Sequence, residues 1–221
     1  MNWMEKGPLL HVGCGHERLE GWVNIDFKAL PGVDHVADVT KELGFTGARA
    51  IFAEHFLEHL RMDGVLQFLL NAHAALDKRG WIRMSTPNVE WTLATHYSRA
   101  QEPKGKIDDV LMLNRAFHGW GHQFLWNREA LELVLKATGF RSIRWCSYGK
   151  SKLKFFRGLE RHDTWKDSVE LPHVLIVEAR KGKLDLKALA TARDLIWNEL
   201  LRHYLDPEVE KPTFGGRLPT A

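Results

Sequence analysis

Seven short apolar runs, separated by turn residues and by segments with helical periodicity, divide this chain of 221 residues. Runs of this kind predict β-strands, and their alternation with helical patterns is the order of a parallel sheet covered by helices on both faces. We therefore predict a doubly wound α/β fold. The predicted strands are residues 9–12, 22–26, 35–37, 50–53, 81–85, 142–147 and 173–179.

Three helices are predicted from the same periodicity. One covers residues 64–76, where apolar residues recur at helical spacing. A second begins after Asn127, a side chain suited to an N-cap, and ends before Gly139. A third covers residues 184–205, and the segment after it is predicted to be irregular. The predicted organisation is one domain of residues 1–182, with the C-terminal helix and tail of residues 183–221 packed on it.

Composition limits the choice of partner and compartment. The 31 Lys and Arg residues against 28 Asp and Glu give a formal charge of +3. So small an excess does not exclude a nucleic-acid partner, but it does not indicate the pronounced basic stripe that binding along a phosphate backbone favours. The 2 cysteines are typical of free thiols in a reducing compartment. Because we also find no apolar segment with the length of a membrane span or signal core, we expect a cytoplasmic protein.

The first predicted strand runs directly into a glycine turn. Residues 9–15 read LLHVGCG, so Gly13 and Gly15 flank Cys14 where the strand ends. The missing side chains of the glycines let backbone N–H groups approach a ligand closely. The next predicted strand ends at Asp26, and a carboxylate there can accept hydrogen bonds from both hydroxyls of a ribose. Together these features indicate a nucleoside ligand.

The spacing of the turn and the acid argues against a dinucleotide. Asp26 follows Gly15 by only 11 residues, whereas dinucleotide-binding folds place the acid about 20 residues further on. Residues 13–21 are too few for a full crossover helix, so an abbreviated one is expected. The third glycine of a pyrophosphate-binding loop is also missing, with Glu17 and Arg18 in its neighbourhood.

These segments resemble the class I S-adenosylmethionine-dependent methyltransferases, particularly the stand-alone, type 11-like enzymes. The resemblance covers residues 8–181 and continues from the glycine turn and the strand GWVNID through HVADV, AEHFLEHL and LDKRGWIR in the same order. It implies a Rossmann-like, mostly parallel seven-stranded sheet, S-adenosylmethionine as the cofactor, and methyl transfer as the activity. Similar stand-alone enzymes are often linked to glycan or secondary metabolism, and we expect O-methylation of a small-molecule or glycan-like acceptor.

The resemblance also implies which residues contact the cofactor. The implied contacts are Gly13, Cys14 and Gly15 for the methionine part, Asp26 and Phe27 for the ribose, Asp38 and Val39 for the adenine, and Glu54 near the sulfonium. Two positions depart from the family pattern: His11 stands where the first motif often has an acidic residue, and residues 48–50, ARA, replace the F-D pair that commonly opens the fourth strand.

A cluster of histidines and carboxylates follows the fourth predicted strand. His55, Glu58 and His59 are spaced i, i+3 and i+4, so a helix that began there would place all three on one face. The pattern H-x-x-E-H is also the ligand spacing of inverted zinc peptidases. Because that motif gives no reason for a nucleoside-type turn upstream, a zinc hydrolase is kept only as an alternative.

Some metal-dependent O-methyltransferases resemble this cluster more closely. The ubiquinone-pathway and small-RNA enzymes have E-x-x-E-H here, and the RNA enzymes add a histidine in a segment similar to GHQFLWNRE, residues 121–129. This resemblance implies a divalent metal. Imidazole ligands suit zinc, copper, nickel or iron better than magnesium. The implied ligands are His55, Glu58, His59 and His122.

In the alternative without a metal, Glu58 and His59 join the helix start to a neighbouring loop, and His55 faces the acceptor. Methyl transfer displaces an already activated sulfonium, so positioning of the reactants supplies most of the rate. A base that titrates near neutrality assists a hydroxyl acceptor. The catalytic candidates are therefore His55 first and His122 second.

The acceptor side is predicted in the segment after the sixth strand. If that strand runs parallel, residues 149–170 open over the cofactor edge of the sheet. Basic side chains gather there, and they would attract a phosphate or carboxylate on the acceptor, although a solvated loop explains them equally well. These side chains are Lys150, Lys152, Lys154, Arg157 and Arg161.

The rival from another class is a regulatory protein that binds the cofactor without turnover.

Overall fold

The structure, a computed structural model, describes residues 7–162 and 170–201. A seven-stranded sheet in the order β3-β2-β1-β4-β5-β7-β6 forms its centre. The strands from β1 to β5 pair in parallel, and β7 is antiparallel to both β5 and β6. The strands are β1 (Leu9–Val12), β2 (Val23–Asp26), β3 (His35–Val36), β4 (Ala48–Glu54), β5 (Leu76–Pro87), β6 (Phe140–Trp145) and β7 (Val174–Lys181). The predicted Rossmann-like α/β sheet, mostly parallel and seven-stranded, is confirmed.

Five α-helices accompany the sheet in the described part of the chain. They are α1 (Met62–Ala75), α2 (Val89–His96), α3 (Pro103–His118), α4 (Arg128–Ala137) and α5 (Leu186–Ile196), and a π-type turn follows at Trp197–Leu201. The predicted helices correspond to α1, α4 and α5. Of the third predicted helix, residues 202–205 lie outside the described residues, as does the predicted irregular tail. None of the described helices is long and apolar enough to cross a bilayer.

Two helices that the sequence analysis did not predict, α2 and α3, follow β5. Asn88 caps α2, because its side chain accepts a hydrogen bond from the N–H of Glu90 at 3.0 Å. Pro103 stands in the first turn of α3, where its missing N–H costs nothing. Both residues were available as start signals in the sequence.

The two faces of the sheet are covered differently. On one face α1, α4 and α5 contact one another and close the main core, which includes Leu10, Ile51 and Phe68. On the other face Leu19, Trp22 and Phe156 reach the sheet from loops and turns. Helices on both faces were expected, so the second face differs from the prediction. The abbreviated helix expected between β1 and β2 is likewise replaced by turns, where the side chain of Asn24 binds the N–H and the carbonyl of Leu19.

A buried charge cluster fixes the loop that covers the second face. Arg83 of β5 is 0% exposed and donates to Glu160 and to Glu178, each at 2.6 Å. Burial alone would lower the pKa of Arg83, but the hydrogen bond and charge of Glu160, together with the charge of Glu178, raise it overall. Since Glu160 lies in the loop and Glu178 in β7, the guanidinium ties the loop to the sheet.

Two buried histidines should make the stability of the fold depend on pH. Burial lowers the pKa of His11, and its hydrogen bond to Asn24 opposes that shift only in part. Burial also lowers the pKa of His73, whose Nε2 forms a hydrogen bond with the carbonyl of Gly182. A folded-state pKa below the unfolded value leaves stability complete above about pH 6.5 and removes it as the pH falls.

We therefore expect the free energy of unfolding, measured in urea, to be level from pH 8 to 7 and to decrease below about pH 6.5. The decrease should be smaller in His11→Gln, which has no ring to protonate, than in His118→Gln, the surface control. An unfolding free energy that rises between pH 6.5 and 5.5 would contradict this assignment.

Candidate functional site

The glycine turn lies at the carboxyl end of β1 and is fixed against its neighbours. Gly13 and Gly15 have φ of 67° and 53°, in the left-handed region that favours glycine. A Cβ on Gly13 would lie 2.4 Å from the ring of Phe56. The N–H groups of Gly13 and Cys14 donate to the carbonyl of Ile25 in β2 at 2.9 and 3.1 Å. The space in front of Gly15 is open, because a Cβ there would meet nothing within 4 Å.

Asp26 ends β2 and forms one unit with this turn. Its Oδ2 accepts from the N–H of Gly15 at 2.9 Å, and its Oδ1 accepts from the N–H of Lys28 at 3.0 Å. Each oxygen keeps a second lone pair, so the carboxylate can also accept hydrogen bonds from a ligand. Phe27, next to it, is exposed beside the carboxylate. The turn and the acid therefore lie together, as the sequence pattern predicted.

Cys14, in the middle of the turn, is buried and is not activated as a nucleophile. Burial raises the pKa of Cys14 to about 11, and the negative charge of Asp26 adds to the increase. The thiol is therefore protonated at neutral pH and contributes its bulk and its backbone N–H to the turn rather than a thiolate.

The residues assigned to adenine lie beyond β3. The carboxylate of Asp38 accepts from the N–H and the hydroxyl of Thr40 at 3.1 and 2.6 Å. The hydroxyl bond lowers the pKa of Asp38 although burial opposes it, so the group is ionised at neutral pH. Asp38 lines a small cavity of about 290 Å³. The side chain of Val39 belongs to the core, and its carbonyl accepts from Asn71 at 2.8 Å.

Glu54 ends β4 beneath the loop that follows β6. Its carboxylate accepts from the N–H of Arg161 at 2.9 and 3.0 Å and from the N–H of His162 at 3.2 Å. Because β6 and β5 are both antiparallel to β7, β6 runs parallel to β5, and its loop crosses the carboxyl edge. This edge is where the loop was expected under that condition. Residues 163–169 of the expected segment lie outside the described residues.

The partly buried His55 and the fully buried Glu58 form a pair at the same edge. Nδ1 of His55 lies 3.0 Å from Oε1 of Glu58, and Oε2 of Glu58 accepts from the hydroxyl of Thr86 at 2.9 Å. A carboxylate oxygen accepts, so Nδ1 of His55 donates to Glu58 and, in the neutral ring, the lone pair lies on Nε2. Nε2 of His55 is buried and has no hydrogen-bond partner among residues 7–162 and 170–201, and the centroid of the His162 ring lies 4.2 Å from that of His55.

No α-helix begins at His55 to align it with Glu58 and His59. Only a short 3-10 turn, Leu57–His59, follows β4, and His55 precedes it with a φ of 46°. A positive φ is rare for a residue with a side chain, and it turns His55 away from the helical register. The three residues therefore do not share a helix face.

Glu58, His59 and His122 bring one ligand atom each within 4.8 Å of one another. Nδ1 of His122 donates to the carbonyl of Ala116 at 2.9 Å, so the lone pair of His122 lies on Nε2. The set of one carboxylate and two imidazoles fits a divalent transition metal with an open coordination position. His55 is not in this group, although it contacts Glu58.

The main chain of the Glu58 turn holds the segment that carries His122. The carbonyl of Glu58 accepts from the N–H of Gln123 at 2.6 Å and from the N–H of Phe124 at 3.3 Å.

An inverted zinc peptidase would need His55 and His59 on one ion. Among the described residues the converging ligand atoms belong instead to Glu58, His59 and His122, so the zinc-hydrolase alternative loses its ligand set.

Three residues of the site were not predicted. Thr86 stands at the carboxyl end of β5, so the rule that ligands bind at that edge was a signal for it. Phe56, which packs against Gly13, and His162, which covers His55, gave no signal because both contacts depend on how distant segments approach.

Comparison with known proteins identifies the fold. No protein-family model matches the sequence, and no curated protein matches it. A solved S-adenosylmethionine-dependent methyltransferase from Thermotoga maritima superimposes with a TM-score of 0.52 at 13% identity, over 80% of this chain and 82% of its own. At that identity the likeness shows the fold alone, which is the fold of S-adenosylmethionine-dependent methyltransferases.

Two further solved structures are similar at lower scores. A methyltransferase from Archaeoglobus fulgidus has a TM-score of 0.49 and 16% identity, over 79% of this chain and 86% of its own. The CurJ carbon methyltransferase has a TM-score of 0.46 and 16% identity over 81% of this chain. This chain spans about half of that protein, 51% of its length.

Proposed function

We propose that this chain is an S-adenosylmethionine-dependent methyltransferase that binds its cofactor between the glycine turn and Asp26. The joined turn and carboxylate support this proposal, since Asp26 keeps lone pairs for ribose hydroxyls and the space in front of Gly15 is open. When bound, the cofactor supplies a methyl group on a sulfonium. A nucleophile can attack the methyl carbon directly, and the sulfur leaves as the thioether of S-adenosylhomocysteine. Asp38 is proposed to bind the adenine amine through its ionised carboxylate.

Two of the proposed cofactor contacts use only part of the residue. Both oxygens of Glu54 accept from the loop after β6, but Oε2 accepts a single N–H and keeps a lone pair, so Glu54 is proposed to line the pocket near the sulfonium through that oxygen. Val39 offers its backbone, since its side chain lies in the core. Phe27, exposed beside Asp26, is proposed to cover the ribose.

We propose that the acceptor atom is an oxygen and that His55 takes its proton. The single observation that carries this is the buried Nε2 of His55, a lone pair at the carboxyl edge to which no described residue forms a hydrogen bond. Glu58 fixes the ring through Nδ1 and would stabilise the imidazolium that forms, and Thr86 fixes Glu58 in turn. A base held by a buried carboxylate is the arrangement that proton removal from a hydroxyl needs.

The proposed acceptor is a small molecule or a glycan-like compound. Trp120, 68% exposed, lies with its ring 5.8 Å from that of His122, and an exposed aromatic face beside a base suits a sugar or another ring-shaped acceptor. Arg161, whose N–H binds Glu54 at this edge, favours an acceptor that carries an anionic group.

Methyl transfer can be tested with labelled S-adenosylmethionine and a panel of hydroxylated small molecules and oligosaccharides. We expect label in at least one acceptor, with the methyl group on oxygen by mass spectrometry. Transfer to nitrogen or carbon alone would overturn the O-methylation. Cofactor binding with no transfer to any acceptor would favour the non-catalytic rival.

We also propose that Glu58, His59 and His122 bind a divalent transition metal, because their ligand atoms converge and the orientation of His122 is fixed by Ala116. Such an ion would act as a Lewis acid that lowers the pKa of the acceptor hydroxyl. His55 would then orient Glu58 through their hydrogen bond rather than bind the ion itself.

The metal proposal predicts that the metal-free protein binds about one equivalent of Zn²⁺ or Ni²⁺, measured against a chromophoric chelator and by thermal shift. Loss of one imidazole ligand in His122→Ala should weaken binding at least about tenfold. The control is His118→Ala, which removes an exposed histidine of α3 and should bind as the unchanged chain does. Equal affinity in the two variants would remove His122 from the site.

A further inference from the structure

A cavity of about 680 Å³ lies away from the glycine turn and the histidine cluster. It opens where β6 ends and the loop of residues 147–157 turns back over the second face of the sheet. None of the residues proposed to bind the cofactor, the metal or the acceptor proton lines it. The sequence analysis placed basic residues of this loop over the cofactor edge, whereas several of them surround this separate cavity.

The walls of the cavity are fixed by hydrogen bonds and by a hydrophobic anchor. The guanidinium of Arg83 donates to the carbonyl of Lys150 at 3.1 Å, and Glu160 accepts from the N–H of Gly149 at 3.0 Å. Phe156 is fully buried against Trp22 on the second face. Since these contacts already order the loop, a ligand would bind without ordering it first, which favours affinity.

Four cationic side chains line this cavity. The contacts that hold two of them are with a carbonyl and an aromatic ring, so their positive charge is not neutralised by these contacts. Nε of Arg157 donates to the carbonyl of Ser151 at 2.9 Å, and the guanidinium of Arg144 lies 4.3 Å from the ring centroid of Trp81. These contacts hold the two guanidinium groups while leaving other N–H groups for a ligand. The remaining two cations of the lining are Lys150 and Lys152, both exposed.

The cationic lining is not neutralised by carboxylates within residues 7–162 and 170–201. The carboxylate in the lining is Glu178, which Arg83 already binds at 2.6 Å. Neither arginine and neither lysine of the lining forms an ion pair with a described acidic residue. Like charges collected in a concave site raise the local potential and attract an anion.

We propose that this cavity binds a small organic phosphate that carries two or more negative charges. Its volume lies within the range of small-molecule sites, and two forked guanidinium groups with two ammonium groups suit phosphate oxygens. A nucleic-acid backbone would need a basic stripe that continues beyond the cavity, and the formal charge of +3 gives little support for one. The proposal goes beyond methyl transfer and does not depend on it.

Calorimetric titration of the full chain with inorganic pyrophosphate at low ionic strength tests this site. We expect one site per chain and at least about a tenfold loss of affinity in Lys150→Gln/Lys152→Gln, with further weakening by added salt. The matched control is Lys104→Gln/Lys106→Gln, which removes two exposed lysines with the same spacing from α3 and should keep the affinity of the unchanged chain.

Several outcomes would overturn the proposal. They are the absence of saturable binding, an equal loss in the two double variants, and tighter binding of a single-stranded oligonucleotide than of pyrophosphate through the same lysines. The affinity for S-adenosylhomocysteine should be the same in both double variants. If the unchanged chain failed to bind S-adenosylhomocysteine, that result would count against the methyltransferase proposal and not against the phosphate site.

Discussion

Arg83→Met should lower the free energy of unfolding by about 3–5 kcal/mol, the usual cost of removing one partner from a buried ion pair. The loss is large because Glu160 and Glu178 would keep their positions on the second face without the guanidinium that both contact at 2.6 Å. The loop carbonyl of Lys150 would also lose its donor. Urea unfolding at pH 7 measures the change.

A surface ion pair provides the control for this substitution. Arg18 lies 3.5 Å from Asp34 with its side chain 61% exposed, so Arg18→Met should cost no more than about 1 kcal/mol. If Arg83→Met changed the unfolding free energy as little as Arg18→Met, the cluster would not be what holds the loop. Partial recovery in Arg83→Met/Glu178→Gln is expected, because one unpaired buried charge is then removed.

His55→Gln should lower the rate of methyl transfer by about 10²–10⁴-fold, which is the usual contribution of a positioned base. Glutamine keeps a hydrogen-bond donor for Glu58 but cannot take a proton from the acceptor. The affinity for S-adenosylhomocysteine should be unchanged, because His55 does not contact the glycine turn or Asp26 through any hydrogen bond of the described residues. Single-turnover measurements with labelled cofactor separate the two quantities.

His118→Gln, in which an exposed histidine of α3 is replaced, is the control and should retain the full rate. Glu58→Gln should lose part of the rate, since an amide cannot stabilise the imidazolium as a carboxylate does. A His55→Gln variant that transfers methyl groups at the rate of the unchanged chain would show that positioning alone accounts for turnover.

The glycine turn and its acid were predictable because both signals are local. The first strand leads into the turn of Gly13, Cys14 and Gly15, and the second strand ends at Asp26. When two strands are parallel neighbours, their carboxyl ends meet at one edge of the sheet. The short spacing indicated a nucleoside rather than a dinucleotide in the same way. The structure adds the direct hydrogen bond from Gly15 to Asp26, which joins the two signals.

The differences from the predicted fold and site come from long-range packing. Arg83, Glu160 and Glu178 are far apart in sequence, and no periodicity indicates that one guanidinium binds both acids. The positive φ of His55 also has no local signal, since glycine is the residue that usually marks such a backbone. The converging group is Glu58, His59 and His122, without the His55 that the resemblance had implied.

Calorimetric titration with S-adenosylhomocysteine, on the unchanged chain and on Asp26→Asn, tests the central claim most directly. The account predicts one site in the unchanged chain and at least about a tenfold loss in Asp26→Asn, which is about 1.4 kcal/mol. Asp77→Asn, at the opposite end of the sheet, should bind as the unchanged chain does. Equal affinity in Asp26→Asn and Asp77→Asn, or no binding by the unchanged chain, would contradict the account.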